Sequence, residues 1–168
     1  LNITMNPYRR PQGGMLGPGP VVVGERPAAT GWGPEWVTDN GRLQELQKQT
    51  AALLRHDGIA IEQMAVTTTN VQIRINSTQL DNAPQAIGRT ARALAVTMPP
   101  SVGVFEIVPM VRGVAVSKIV IKRSDIEQLE FAANQDELIR ERTQILPISG
   151  ARPADPIGPP NLSPRFTW

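Results

Sequence analysis

Hydrophobic and polar positions in the middle of the chain predict two successive helix–strand–strand units. The first begins with an amphipathic helix that follows the N-cap residues Thr38-Asp39-Asn40 and ends at Gly58, which suits the left-handed position after a helix. Its apolar stripe consists of Leu43, Leu46, Leu53 and Leu54. A strand over 59–66, where a switch of apolar phase predicts a bulge, and an alternating strand over 71–76 complete the unit.

The second unit repeats this order. Its helix begins at Pro84 and is stopped by Pro99-Pro100. The apolar stripe consists of Ile87, Ala91, Leu94 and Met98. Strands are predicted over 102–111, in which Pro109 favours an edge position or a bulge, and over 114–122.

A short third helix is predicted after these strands, because Ser124 and Glu127 have the spacing of a capping box. A last helical turn is predicted from Asn134. Such an αββ repeat predicts an α+β fold, a two-layer sandwich in which two main helices cover one face of a four-stranded mixed sheet.

Proline and glycine divide the chain into three parts. Residues 38–146 hold only four Pro and five Gly, whereas both flanks are rich in these residues. Proline fixes φ and lacks an N–H, so the flanks are poor candidates for long helices or central strands. We therefore predict an α/β module over 38–146, an extended Pro/Gly-rich arm over 1–37, and a Pro-rich arm over 147–168 that ends in a strand-like segment.

Charge and composition narrow the function classes. The module carries twelve basic and twelve acidic residues, so it lacks the basic excess of a nucleic-acid-binding domain. The chain has no cysteine and one histidine, which excludes disulfides, thiolate zinc sites and a two-histidine metal site within one chain. No apolar run reaches the length of a transmembrane helix.

Catalytic candidates are few. His56 beside Asp57 could act as an oriented base, but a histidine at a helix C-terminus more commonly interacts with the helix dipole. The glycines at 13–19 lack the strand, helix and lysine of a phosphate-binding loop. The carboxylate pair Asp136-Glu137 is expected on a solvated helix face. We predict no catalytic residues, no metal and no cofactor.

Three aromatic residues are the candidate contact sites. Trp32 and Trp36 lie close together in the first arm, where their rings could stack on a sugar, contact a partner, or fold back onto the module. Tyr8 next to two arginines is a further candidate for a glycan or partner contact.

The chain ends carry a pattern typical of strands. Residues 1–6 alternate apolar and polar side chains, and residues 166–168 do so with aromatic rings. These features are typical of transmembrane β-barrel strands, or of two stray edge strands. Since the chain begins at Leu1 without a signal peptide, we expect it to be a processed or excised piece.

Several segments resemble one protein family. They are residues 85–94, 98–102, 105–110 and 119–127, with the markers Pro99-Pro100-Ser101 and Arg123-Ser124-Asp125-Ile126-Glu127, and the tail 164–168. Over roughly residues 50–130, the pattern is similar to the periplasmic insert of the YjbH-type exopolysaccharide biosynthesis proteins, a family of bacterial outer-membrane β-barrel proteins. The tail resembles the entry to a barrel strand in that family.

The resemblance implies an α/β module on the periplasmic side of the bacterial outer membrane, tethered to barrel strands at both ends. Its partners would be outer-membrane barrel segments or other polysaccharide-secretion proteins, with the polysaccharide as a further candidate, and no nucleic acid. The main hypothesis is thus a non-enzymatic accessory or scaffolding domain in exopolysaccharide biosynthesis or export. The alternatives are a carbohydrate-binding or carbohydrate-processing domain that uses Trp32 and Trp36, and an adaptor that pairs through an exposed sheet edge.

Overall fold

The computed structural model describes residues 21–77, 83–129, 135–148 and 157, without the side chains of 135–137. A 3-10 turn at Pro34–Thr38 precedes four helices, which are α1 (Asn40–Arg55), α2 (Ala83–Thr97), α3 (Arg123–Leu129) and α4 (Gln135–Arg142). The strands are β1 (Ile59–Val66), β2 (Asn70–Ser77), β3 (Val104–Val111), β4 (Val114–Ala115), β5 (Lys118–Lys122) and β6 (Gln144–Leu146). The predicted α+β class is confirmed.

The sheet is mixed and has the order β1-β2-β3-β5-β6, with β4 paired to the end of β3. The pair β2–β3 is parallel, whereas β1–β2, β3–β5 and β5–β6 are antiparallel. The sheet therefore has two short strands more than the four predicted. One arises because the predicted strand over 114–122 is divided into β4 and β5, and the other, β6, follows α4 directly.

Local sequence signals place the first unit as expected. Asp39 is the N-cap of α1, and its carboxylate accepts hydrogen bonds from the backbone N–H groups of Gly41 (2.9 Å) and Arg42 (3.1 Å). Gly58 follows the helix with a φ of 66°, a conformation that glycine adopts without strain. The register of β1 shifts between Ile61 and Gln63, so the predicted bulge is confirmed.

Two local predictions differ from the structure. Pro109 lies in the central strand β3, so the edge alternative is wrong. Across it the antiparallel register shifts by one residue, since Ile107 faces Ile119 whereas Met110 faces Ala115, as the bulge alternative predicts. The Pro109 carbonyl accepts from the N–H of Val116 (3.2 Å). The capping box is absent, because α3 begins at Arg123 and the carboxylate of Glu127 binds arginine side chains instead of the helix N-terminus.

The core lies between the helices and one face of the sheet. Strand residues buried there include Met64, Val71, Ile73, Ile75, Phe105, Ile107, Ile119 and Ile121. Helices α1 and α2 pack against each other, and their contact contains a hydrogen bond between the hydroxyls of Thr50 and Thr97 (2.8 Å). Each of these hydroxyls also donates to a backbone carbonyl of its own helix. Since two protons serve three contacts, one hydroxyl divides its proton between its carbonyl and the other hydroxyl.

Parts of both flanks pack on the module. Val23 and Ile157 are buried in the same apolar cluster as the sheet, and the N–H of Ile157 donates to the carbonyl of Met64 in β1 (2.7 Å). The strand-like segments predicted at the two chain ends lie outside the described residues. The proposed module boundaries of 38–146 stay a prediction.

Candidate functional site

A groove of about 560 Å³ is formed where α2, the strands β5 and β6, and the helices α3 and α4 meet. Its lining residues are Pro84, Gln85, Ile87, Gly88, Arg89, Arg92, Ile119, Ile121, Ile126, Ile139, Arg140, Thr143 and Ile145. This volume falls within the range of about 300–1,000 Å³ that is typical of small-molecule pockets. We call this feature the arginine–isoleucine groove.

The floor of the groove is aliphatic. Ile119 and Ile121 alternate on the helix-covered face of β5, and Ile126 of α3 lies beside them, all three buried. Ile145 of β6 extends the same surface outward and is 70% exposed. Isoleucine side chains offer apolar area without hydrogen-bonding groups, so the floor suits an apolar ligand or ligand segment.

Three arginines supply the charge. Arg89 and Arg92 lie on α2, and Arg140 lies on α4 across the groove. The described residues that line the groove include no Asp or Glu. Arg89 forms an ion pair with Asp57 at the end of α1, outside the lining. Two helices therefore contribute guanidinium groups to the groove wall, and such groups favour anionic ligands.

Gly88 lies within α2, in the wall of the groove. A Cβ atom added at this position would meet no heavy atom within 4 Å, so the missing side chain leaves open space. Glycine inside a helix costs roughly 0.5–1 kcal/mol of stability relative to alanine. Neither backbone conformation nor packing requires glycine here, and what it provides is room in the groove.

A buried polar cluster around Arg123 connects α2 and α3, two of the helices that form the groove. The side chain of Arg123, at the start of α3, is fully buried and donates to backbone carbonyls in the last turn of α2 and in the segment that follows it. The acceptors are Ala95 (2.6 Å), Pro99 (2.7 Å), Met98 (3.2 Å) and Val102 (3.2 Å). An α-helix would pair the Ala95 carbonyl with the N–H of residue 99, and proline has none. The guanidinium of Arg123 thus supplies the hydrogen-bond donor that Pro99 lacks.

Glu127 balances this buried cation. Its carboxylate accepts from Arg123 Nε (2.9 Å) and, through both oxygens, from Arg26 of the first arm (3.0 and 2.6 Å). The hydrogen bonds and positive charge of Arg26, followed by the charge of Arg123, hold the pKa of Glu127 below its ordinary value. Burial lowers the pKa of Arg123, and Glu127 opposes this shift.

The predicted contact tryptophans pack together. Trp36 is 4% exposed and belongs to the core, and its ring meets that of Trp32 edge-on, with centroids 5.9 Å apart. Trp32 is partly buried, and the guanidinium of Arg42 lies 5.8 Å from its ring centroid. The structure brings the two rings together without presenting a broad stacking surface on Trp36, and glycan contact at this pair stays a prediction.

Of the remaining sequence candidates, the described His56 and Asp57 are not among the residues that line the groove. Tyr8 lies outside the described residues, as do the side chains of Asp136 and Glu137. His56 is exposed at the end of α1, and its neighbour Asp57 pairs with Arg89. Within the described part of the chain, three or more His, Asp or Glu side chains nowhere gather in a metal-binding arrangement.

Comparison with known families places this geometry in context. A family model described as exopolysaccharide biosynthesis protein YbjH (YjbH) matches residues 2–167, nearly the whole chain. The chain belongs to the YjbH family. The resemblance recognised over residues 50–130 is thereby confirmed and extends over both arms. Neither the curated proteins nor the solved structures include a significant match to this YjbH-family chain.

The family description assigns the chain to exopolysaccharide biosynthesis. It names no catalytic activity, location or partner. Among the described helices of this YjbH-family chain, none has the length and apolar character needed to cross a bilayer.

The arginine–isoleucine groove was missed at the level of sequence. Its lining comes from five elements, and the pairing that brings β6 beside β5 cannot be read from a three-residue strand. One local signal was present, because Gly88-Arg89 with Arg92 places a glycine and two arginines inside a helix that otherwise shows an apolar stripe.

Proposed function

We propose that this YjbH-family chain is a non-enzymatic accessory domain on the periplasmic side of a bacterial outer-membrane protein. In this role it contributes to exopolysaccharide biosynthesis or export by holding neighbouring protein segments in fixed positions. Its partners are barrel segments of the outer membrane or other polysaccharide-secretion proteins.

The observation that supports this proposal is that both arms are anchored on one module. The first arm is bound through Arg26, whose guanidinium forms a two-oxygen ion pair with Glu127, and through the buried Val23. The second arm is bound through Ile157, which adds a backbone hydrogen bond to β1. A module that holds the chain segments before and after it in fixed positions can set the distance between the elements that those segments join.

The alternative is a domain that binds or processes carbohydrate through Trp32 and Trp36. Trp32 supports it, since its ring keeps some exposed surface and lies beside Arg42. The burial of Trp36 weakens it, because stacking on a sugar needs an accessible ring face. We therefore favour the accessory role.

Site-specific labelling tests the proposed location. The chain lacks cysteine, so a single introduced thiol reports on one position. Ser101 is exposed, and Ser101→Cys should react in intact cells with a maleimide that passes outer-membrane pores but not the inner membrane. Ala93→Cys is the matched control, since residue 93 is fully buried and should react only after denaturation. Labelling of Ser101→Cys only after lysis of the inner membrane would contradict a periplasmic location.

A further inference from the structure

We propose that the arginine–isoleucine groove binds a single-chain lipid phosphate, with the aliphatic chain on the isoleucine floor and the phosphate on the arginines. Both halves of this ligand match the lining. The floor offers only aliphatic surface, and the charged groups among the described lining residues are all arginines. Guanidinium groups bind phosphate through paired, charge-assisted hydrogen bonds.

The size of the groove favours one chain. A volume of about 560 Å³ is that of a pocket for a small ligand, and its buried part is set by Ile119, Ile121 and Ile126. Ile145 lies at the exposed end of the same surface, where a longer chain would leave the groove. A phosphate monoester of a long aliphatic alcohol, with one chain and one anionic end, meets both conditions.

Two other ligand classes fit less well. Sugars are commonly held by aromatic rings and a set of hydrogen-bonding side chains, and the described lining residues include no aromatic ring. A peptide could add a strand to the edge of the sheet at β6, as in the adaptor hypothesis. However, β6 has three residues and Pro147 follows it, so an added strand would gain few backbone hydrogen bonds.

Gly88 supports a ligand at this groove for a reason that does not involve charge. It lies in the interior of α2, where glycine weakens a helix, and open space surrounds the place of its absent side chain. The helix therefore holds an unfavourable residue whose only local effect is to widen the groove. This is the arrangement expected where a ligand approaches a helix backbone closely.

The proposal is tested by calorimetric titration of the whole chain with dodecyl phosphate below its micelle concentration. We expect saturable binding, and substantially weaker binding of both inorganic phosphate and the uncharged dodecyl maltoside. Absence of dodecyl phosphate binding would overturn the proposal, and so would equal binding of the uncharged amphiphile.

Two variants locate the bound ligand. Gly88→Leu fills the groove without meeting a neighbouring atom at its Cβ, and we expect it to weaken binding at least about tenfold while the thermal midpoint is unchanged or higher. Gly88→Ala is its matched control and should bind nearly as the native chain does. Unchanged binding by Gly88→Leu would place the ligand elsewhere and refute the proposal.

Arg140→Gln tests the phosphate end. Loss of one charge-assisted contact should weaken dodecyl phosphate binding about tenfold and leave the weak binding of dodecyl maltoside unaffected. Arg142→Gln is the control on the same helix, because Arg142 pairs with Asp125 and does not line the groove. Equal effects of both variants would indicate general charge attraction and contradict binding of the phosphate in the groove. The outcome does not depend on the location of the protein in the cell, so it can fail or succeed separately from the proposed function.

Discussion

Replacement of Arg123 by methionine should cost this fold a large part of its stability. The guanidinium is fully buried and donates to four backbone carbonyls at and beyond the end of α2. Methionine has a similar length and fills the space, but it donates no hydrogen bond. The variant thus separates the loss of hydrogen bonds from the loss of packing.

The size of the expected stability loss follows from the backbone carbonyls that lose their donor. The Ala95 carbonyl receives Arg123 in place of the missing N–H of Pro99, and the Met98 carbonyl also accepts from the same side chain, whereas Pro99 still accepts from the N–H of Val102. Each buried acceptor left unpaired costs about 1–3 kcal/mol. Glu127 keeps its ion pair with Arg26 in the variant, so no buried charge is left without a partner. Since methionine regains apolar burial, we expect a loss of about 3 kcal/mol.

Urea unfolding measures this loss. The fluorescence of the buried Trp36 should report the unfolding of the core, and a loss of about 3 kcal/mol would lower the thermal midpoint by about 6–12 °C for a domain of this size. Arg142→Met is the control, because its ion pair is half exposed and should be worth less than about 1 kcal/mol. Arg123→Lys should fall between, since it keeps the charge but not the fork of donors. A cost below about 1 kcal/mol for Arg123→Met would refute the view that this side chain completes the end of α2.

Two further predictions concern Glu127 and Trp32. The pKa of Glu127 is held below its ordinary value of 4.5, so its contribution to stability is complete above that pH and is lost as the pH falls through the lowered pKa. In Glu127→Gln, we expect a lower free energy of unfolding at neutral pH and a smaller loss of that free energy in acid. Urea titrations between about pH 6 and about pH 3 measure both. If the loss in acid is the same as in the native chain, the ion pair with Arg26 does not form in solution. For Trp32→Ala, we expect a glycan-binding screen to match that of the native chain; retention of a glycan by the native chain alone would favour the carbohydrate-binding alternative.

The elements of the fold could be predicted from the sequence where one local signal decides the backbone. The switch of apolar phase after Ile61 predicts the bulge in β1, because a period of two cannot keep the same face buried across an inserted residue. Asp39 and Gly58 likewise fix the ends of α1 through their own chemistry. These effects act within a few residues.

The sites could not be predicted in the same way, because their parts meet only in the folded chain. Glu127 has capping-box spacing, yet the buried charge of Arg123 and the approach of Arg26 determine where its carboxylate points. Arg140 and Ile145 reach the groove through the packing of α4 and the pairing of β6, which no periodicity in those short segments indicates. The consecutive prolines at 99–100 were nevertheless a readable sign that a donor from elsewhere must serve the preceding carbonyls.

The parallel alignment of β2 with β3 also governs how the chain reaches this structure. The turn between β1 and β2 closes a short loop, whereas the pairing of Asn70 with Val104 closes a loop that contains the whole of α2. Loop closure over such a separation slows folding relative to hairpin formation, which takes microseconds. Until β3 arrives, the first hairpin carries Val71, Ile73 and Ile75 on a strand that is paired with β1 along one edge only. A slow encounter of β2 with β3 leaves that apolar edge open to aggregation while the chain folds.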